Sequence, residues 1–577
     1  MCSSHILKFT LAPDRNREDR HQLNLWTAAC AVFLLCVATA IVAPAQTFTL
    51  LADLDNFEGS YGAYPQGAIV QGTDGNFYLA MKFGGVSSGY GMIIKFTPAG
   101  ELTILYEFCG NWWCVNDLWP GDLPTGLVLA ADGNFVGATG RDVWRGTWGA
   151  VYKMTPAGTL TKVHTFCPQD FFEYDACADG ADATLFLQAT DGQFYGTTNY
   201  GGANGYGTVF KMTIEGKPTT LYNFTGTADG SSPAGLVQAT GGQLYGTTPG
   251  GGTTGNGTVF KMTTGGKLTT LYSFTGTADG SSPGRLIQGT DGNFYGTSQA
   301  GGGYNAGTVF KITPAGGLTT LYSFCSQANC TDGSYPGAGV VQATDGNFYG
   351  TTSNGGAYGY GTIFEITPTG ALTVLYSFDG SDYTSPGRLV QGTDGNFYGY
   401  TGSQDSGYCG TIFSLSTGLG PFVSFIRASG KVGQSAEILG QGFTGATSAS
   451  FNGTPATFTV NSDTYLKATV PAGATSGFVT VTTPSGTLTS NQIFRVTPRV
   501  LSFSPTSGPV GTSVIITGQS FTGADDVRLG VGEQMSFTVD SDTQITAIVP
   551  AGATSGGISV RTPGGQAHSV TVFDVTP

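Results

Sequence analysis

The chain has 577 residues, with 24 Lys and Arg against 38 Asp and Glu, a net charge of −14, 92 glycines and 40% hydrophobic residues. That length exceeds one ordinary core, and the apolar fraction excludes a disordered chain. The acidic balance excludes nucleic acid and anionic membrane surfaces as partners, because both require a basic footprint.

Residues 1–45 carry the signs of an export signal. Arg15, Arg17 and Arg20 precede an apolar run from Leu25 to Val42, and Ala43-Pro44-Ala45 supplies small residues before a cleavage point at Gln46. An uncleaved membrane anchor is the alternative reading of the same run. Either way the chain is expected to be exported by a bacterium, secreted or held at the cell surface, with no membrane insertion once the signal is removed.

The cysteines fit an oxidising compartment. Beyond residue 45, six of the seven form close pairs: Cys109 with Cys114, Cys167 with Cys177, and Cys325 with Cys330. Each pair follows the same kind of strand, so each reads as a disulfide stapling one loop. Cys409 is left over, as a free thiol or an intermolecular link. No pair is matched by a second pair or by histidines at ligand spacing, so no metal and no cofactor is expected.

From about residue 65 to 416 the sequence repeats. A hairpin turn recurs at Asp74, Asp132, Asp191, Gly241, Asp291, Asp345 and Asp394, at steps of 58, 59, 50, 50, 54 and 49 residues. Such a period marks an array of supersecondary units. Each unit holds four strand-like runs. Run A, such as residues 235–240, leads through a two-residue Asp-Gly turn into run B. Run C reads Gly-Thr-Val-Phe-Lys-Met-Thr at 207–213, and run D reads Leu-Thr-Thr-Leu-Tyr-Ser-Phe at 268–274, with a Pro-x-Gly turn joining C and D in several copies.

Four strands per period describe a β-propeller blade. Runs A, B and C occur seven times, but run D follows C only six times; a seventh D-like run, Phe48–Leu54, stands alone before the first A. The expectation is an all-β, seven-bladed β-propeller over residues 46–418, closed when this N-terminal strand completes the last blade and leaves no open edge. A–B and C–D turns then share one face, and the longer B–C and D–A loops share the other. Variable loops on a rigid scaffold are where function concentrates.

These repeats resemble the Gloeo/Verruco tandem repeat of exported "choice-of-anchor" proteins, on Gly-Thr-Val-Phe-Lys-Met-Thr at 207–213, Leu-Thr-Thr-Leu-Tyr-Ser-Phe at 268–274 and Asp291-Gly292-Asn293-Phe294-Tyr295-Gly296-Thr297. The resemblance implies an exported repeat protein and assigns no catalytic or ligand-binding residue. The Asp-Gly-Asn-aromatic turn is also similar to that of streptogramin-lyase-like propellers, although that turn is mostly hairpin chemistry.

After Leu415 a new period of 78–79 residues begins. Gly440-Gln441-Gly442-Phe443-Thr444-Gly445-Ala446 returns as Gly518-Gln519-Ser520-Phe521-Thr522-Gly523-Ala524. Short alternating strands predict two β-sandwiches, at 419–498 and 499–577. Both resemble IPT/TIG immunoglobulin-like domains, which implies spacer or binding modules. No apolar tail or sorting motif follows, so no covalent wall anchor is expected.

Candidate chemistry is sparse. Only His164 and His568 lie beyond the signal, in different domains, which argues against a His-centred triad or metal site and so against an enzyme. The glycine-rich B–C loops lack the Gly-Lys-Ser/Thr ending of a phosphate cradle. Run A carries Gln at 71, 188, 238, 288, 342 and 391, with Leu129 in the odd copy, and these glutamines are expected to bond between blades.

One feature departs from the repeat. Trp112, Trp113, Trp119, Trp144 and Trp148 fall in or beside the loops of blade two, among Asp117, Asp122, Arg141 and Arg145. Flat aromatic area with a few polar groups suits a carbohydrate or a surface protein. The competing reading is a local minicore over the loop stapled by Cys109 and Cys114. The sequence therefore points to an exported non-enzymatic surface or matrix protein. A propeller lyase acting on a polysaccharide or a lactone ring, and a passive spacer in an envelope or adhesive fibre, are the alternatives.

Overall fold

Each copy of the repeat folds into its own antiparallel sheet of four strands or more, as expected of alternating apolar runs broken by Asp-Gly and Gly-rich turns. In the computed structural model, residues 46–577 are described apart from 55–64, 66, 85–90, 109–122, 141–147, 168–176, 214, 217, 382–384, 403–409 and 531–532. The export signal and Cys409 lie outside the described residues. So do Cys109 and Cys114, and with them the first of the three expected disulfides.

Sheet four shows the plan: Leu236–Gln238, Leu244–Thr248, Thr258–Met262 and Leu268–Ser273 pair in chain order. Sheet seven departs from that order. Its first three strands are Val390–Gln391, Phe397–Tyr400 and Thr411–Ser416, and its outer strand is Thr47–Asp53 from the start of the described chain. The register runs from Thr47 opposite Ser416 to Asp53 opposite Thr411, with one irregularity between Leu50 and Ala52. Phe48 stacks on Tyr376 of sheet six at 3.9 Å between ring centroids. Leu54 packs against Phe77, Leu79 and Phe96 of sheet one. One short segment thus joins the cores on both sides of sheet seven.

Neighbouring sheets are coupled by a rule legible in the Asn-Phe-Tyr-Gly segment. Successive strand residues face opposite ways, so Phe and Tyr of run B serve different junctions. Tyr245 meets Phe294 of the next sheet at 4.1 Å, Tyr295 meets Phe348 at 4.0 Å, Tyr349 meets Phe397 at 4.3 Å, and Tyr398 meets Phe77 at 4.0 Å. That last contact joins sheet seven to sheet one. Most of these tyrosine hydroxyls donate to the turn Asp of their own hairpin, as Tyr295 does to Asp291 at 2.9 Å and Tyr398 to Asp394 at 2.8 Å. Burial and the Asp carboxylate both push such tyrosines above their ordinary value.

The run-A glutamines form a second relay, as the sequence suggests. Gln238 accepts from the Thr190 amide at 2.9 Å, Gln288 from Thr240 at 2.9 Å, Gln342 from Thr290 at 2.9 Å and Gln391 from Thr344 at 3.2 Å. The Thr393 amide donates to Gln71 at 3.0 Å across 322 residues of sequence, so the relay returns to its start. Each glutamine also donates to the turn glycine four residues on, as Gln288 does to Gly292.

Beyond residue 418 two further cores form. One gathers Val423, Ile438, Phe451, Leu466, Val481 and Phe494; the other gathers Val514, Ile516, Val527, Ile545, Val560 and Phe573. The first docks on the ring at the junction of sheets one and two, the single junction where Leu129 replaces the relay glutamine. There Ile426, Leu439 and Tyr465 pack with Tyr78 and Phe135. The Thr464 hydroxyl donates to the Thr73 carbonyl at 2.9 Å. Gly75, at φ +79°, allows this approach, because a Cβ there would lie 2.7 Å from the Thr464 methyl.

Candidate functional site

Three of the relay glutamines, Gln238, Gln288 and Gln342, line a channel among the sheets of the ring. Its wider part, of about 630 Å³, runs past Gln238, Gln288 and Gln342 to Ser476, Asn491, Ile493 and Arg495 of the first C-terminal core. Arg495 lies across this end and donates to the Ala239 carbonyl at 3.1 Å; burial holds its guanidinium down at about 10. The other part, of about 380 Å³, opens among the B–C and D–A loops and is bordered by Thr184, Asn199, Gln299 and Tyr400.

Arg285 and Arg388 line both parts. They occupy one repeat position, three residues before the relay glutamine, where Ala68, Gly126, Gly235 and Gly339 stand in four other copies and Leu185 in the fifth. The two arginines alone place a charged group at that position. Among the described residues no Asp or Glu lines either part, and neither guanidinium has a carboxylate partner. Burial first, and then the charge of Arg388, holds Arg285 down at about 9. Burial likewise lowers Arg388. The Asn491 side-chain oxygen, at the far end of the same space, is buried with no hydrogen-bond partner.

The loop face carries a second arrangement. Tyr206, Tyr304, Tyr358 and Tyr360 stand in the Gly-rich B–C loops of sheets three, five and six, and Tyr335 in the D–A loop between sheets five and six. All are exposed, Tyr304 to 59% and Tyr358 to 63%. Gly226, at φ +76°, lies under the Tyr206 ring, which a Cβ would approach to 2.6 Å. Tyr206 is therefore held by the backbone of the adjoining loop.

Of the sequence-predicted tryptophan cluster only Trp148 is described. It is 4% exposed and packs with Cys167, Cys177 and Ala181, so its ring faces protein and offers no stacking surface. Trp112, Trp113, Trp119, Trp144, Asp117, Asp122, Arg141 and Arg145 lie outside the described residues. Of the three expected disulfides, Cys167–Cys177 and Cys325–Cys330 are formed. The expected bond between Cys109 and Cys114 is not among those formed by the described residues, because Cys109 and Cys114 both lie outside them.

His164 does more than pack. Its Nε2 lies 3.0 Å from an Asp179 carboxylate oxygen, and Asp179 also accepts from the Cys167 amide at 3.2 Å. In sheets four and five the tyrosine at that place donates to the matching loop Asp, Tyr272 to Asp279 and Tyr322 to Asp332. Histidine in place of tyrosine keeps the strand-to-loop bond. Among the described residues no three His, Cys, Asp or Glu side chains are grouped to hold a metal ion, and no helix is long and apolar enough to cross a membrane.

The two arginines and the exposed tyrosines were not singled out from sequence. The usable signal was arginine twice after Ser-Pro-Gly where four other copies carry Gly or Ala and one carries Leu, and tyrosine inside B–C loops otherwise built of Gly, Ala and Asn.

No curated protein matches this chain. Among solved structures, the extracellular domain of a hybrid two-component system from B. thetaiotaomicron is similar at 12% identity and a TM-score of 0.41, over 87% of this chain and 64% of that one. The chain therefore spans less than two thirds of that neighbour. A gluconolactonase from Xanthomonas campestris is similar at 12% identity and a TM-score of 0.33, over 65% of this chain and 92% of that one. SGBP-B from a xyloglucan utilization locus in Bacteroides uniformis is similar at 21% identity and a TM-score of 0.14, over 26% of this chain and 48% of that one. The IPT/TIG domain model matches residues 498–574. The Gloeobacter/Verrucomicrobia repeat model matches residues 123–338 and 325–503, two thirds of the sequence, and the chain belongs to that repeat family.

Proposed function

We propose that this is an exported, non-enzymatic surface or matrix protein that holds a carbohydrate or protein partner on the loop face of a seven-bladed β-propeller. In this reading residues 46–418 are the propeller, 419–498 and 499–577 are two immunoglobulin-like modules, and residues 1–45 are the signal. Two formed disulfides in loops of the same face support an oxidising destination.

The observation that carries the reading is the set of exposed tyrosines on that face. Tyr304, Tyr358 and Tyr360 present rigid rings with a polar hydroxyl, from loops anchored in continuous sheets. Such rings stack on the apolar faces of sugars at small entropic cost while the hydroxyl supplies direction. The sparsely charged surface suits a neutral or weakly polar partner.

The test is a glycan array probed with the intact protein and with a Tyr304→Ala/Tyr358→Ala variant. The expected result is binding by the former and a loss of at least tenfold in the latter. Equal binding by both removes the tyrosine face from the function. The tryptophan loop is tested in parallel by Trp113→Ala with Trp144→Ala.

A further inference from the structure

The arginine pair in the channel is not explained by the loop-face reading, and it stands whether or not that face binds sugar. Two guanidinium groups line both parts of one channel with no carboxylate among its described lining residues, inside a chain that carries 38 acidic residues against 24 basic ones. Both guanidinium groups are partly buried, neither has a carboxylate partner among the described residues, and like charges held side by side repel. Nothing in the ring needs them there. Ala68, Gly126, Leu185, Gly235 and Gly339 fill the same repeat position in the other five copies, and the relay glutamines bond around the ring without help from either arginine.

The surroundings match the rest of a ligand. Gln299, Asn199 and Thr184 border the loop-side mouth and offer amide and hydroxyl groups. The Tyr400 hydroxyl donates to the Gly67 carbonyl at 2.9 Å, which fixes the ring beside the arginines. At the far end the buried Asn491 side-chain oxygen has no hydrogen-bond partner among the described residues. Residues of the first C-terminal core line the turn-side end, and the other part opens among the B–C and D–A loops.

We propose that the channel is an oxyanion-binding site in which Arg285 and Arg388 grip one carboxylate, sulfate or phosphate group of a ligand entering from the loop face. Arginine is suited to this because its planar fork meets such groups with two parallel hydrogen bonds. The anion supplies the missing counter-charge and relieves the repulsion between the two cations.

The experiment measures thermal shift and calorimetric titration on the intact purified protein. The probes are digalacturonate, inorganic sulfate, inorganic phosphate and a neutral galactose disaccharide, each against sodium chloride of equal ionic strength. Binding of at least one oxyanion and not of the neutral sugar is expected. An inorganic ion binding as tightly as digalacturonate assigns the site to a free ion, and digalacturonate alone assigns it to an acidic sugar; both support the proposal. Arg285→Gln and Arg388→Gln are each expected to weaken that binding at least tenfold while leaving the ligand-free melting temperature equal to or above that of the parent. Arg285→Lys keeps the charge but loses the fork, and serves if a glutamine variant fails to fold; an intermediate affinity is expected.

The proposal is overturned if no oxyanion shifts the melting temperature beyond the chloride control, or if the arginine variants bind as the parent does. It is equally overturned if the ligand-free glutamine variants melt well below the parent. In that case the arginines serve the fold. Loss of glycan-array binding in the tyrosine variant with channel titration unchanged separates failure of one reading from failure of the other.

Discussion

Replacing Phe48 by alanine is expected to loosen the closing strand of the ring by about 2–3 kcal/mol. Full burial of a phenylalanine gives losses of about 3–5 kcal/mol on truncation. Phe48 is half-buried, which reduces that figure, but its ring stacks on Tyr376 at 3.9 Å and lies 5.2 Å from Phe413. An aromatic pair of that kind adds about 0.5–1.5 kcal/mol. The control is Leu50→Ala on the same strand. Leu50 is 47% exposed, and its truncation is expected to cost under about 1 kcal/mol. Several cores share this chain, so one global unfolding energy is not defined and the readout must be local. Hydrogen exchange at Thr411–Ser416, the strand that pairs with Thr47–Asp53, supplies it. Protection there should fall about 30- to 150-fold in Phe48→Ala and less than about fivefold in Leu50→Ala. Equal effects of the two changes, or no effect on 411–416, would refute closure of sheet seven by the N-terminal strand.

Two further outcomes test the coupling between sheets. Gln288→Leu strands the Thr240 amide and the Gly292 carbonyl, and is expected to cost about 1–2 kcal/mol, read as faster exchange at both sites. Acid should act through one turn carboxylate: burial would raise Asp291, but hydrogen bonds from Asn293, Lys311 and Tyr295 outweigh it and hold the group at about 2. A depressed carboxylate contributes stability that is complete above its unfolded value near 4 and is lost as pH falls toward 2. The difference in exchange protection of the Phe294–Ala300 strand between the parent and Asp291→Asn should therefore be constant above about pH 5 and close near pH 2; a difference unchanged at pH 2 would exclude this carboxylate as the cause.

Much of the ring was legible because its determinants are local and repeated. Asp-Gly turns, two-residue periodicity and the unmatched run at Phe48–Leu54 are each readable within one or two strands, and the run-A glutamines announce a relay because they recur at one position. The docking of the first C-terminal core was not legible, since it depends on Leu439 and Tyr465 meeting Tyr78 across hundreds of residues. It does leave a trace: Leu129 interrupts the glutamine series at the junction where Thr464 reaches the Thr73 carbonyl. Of the tryptophan cluster only Trp148 is described, and its burial with Cys167 and Cys177 agrees for that one ring with the packed reading of the sequence.

The channel arginines show why a repeat both helps and hides. A repeat fixes the average environment of each position, so conspicuous runs of tryptophan draw notice while a single Arg285 among glycines reads as surface charge. Only the closed ring places that position inside, and brings Arg388 from two sheets away into the same space. The informative quantity is therefore the deviation of a copy from its repeat, weighed by where the repeat puts it. Arginine for glycine at a loop tip costs little; on the wall of this channel two partly buried guanidinium groups repel each other with no carboxylate among the described lining residues, and an anion bound between them would offset that repulsion.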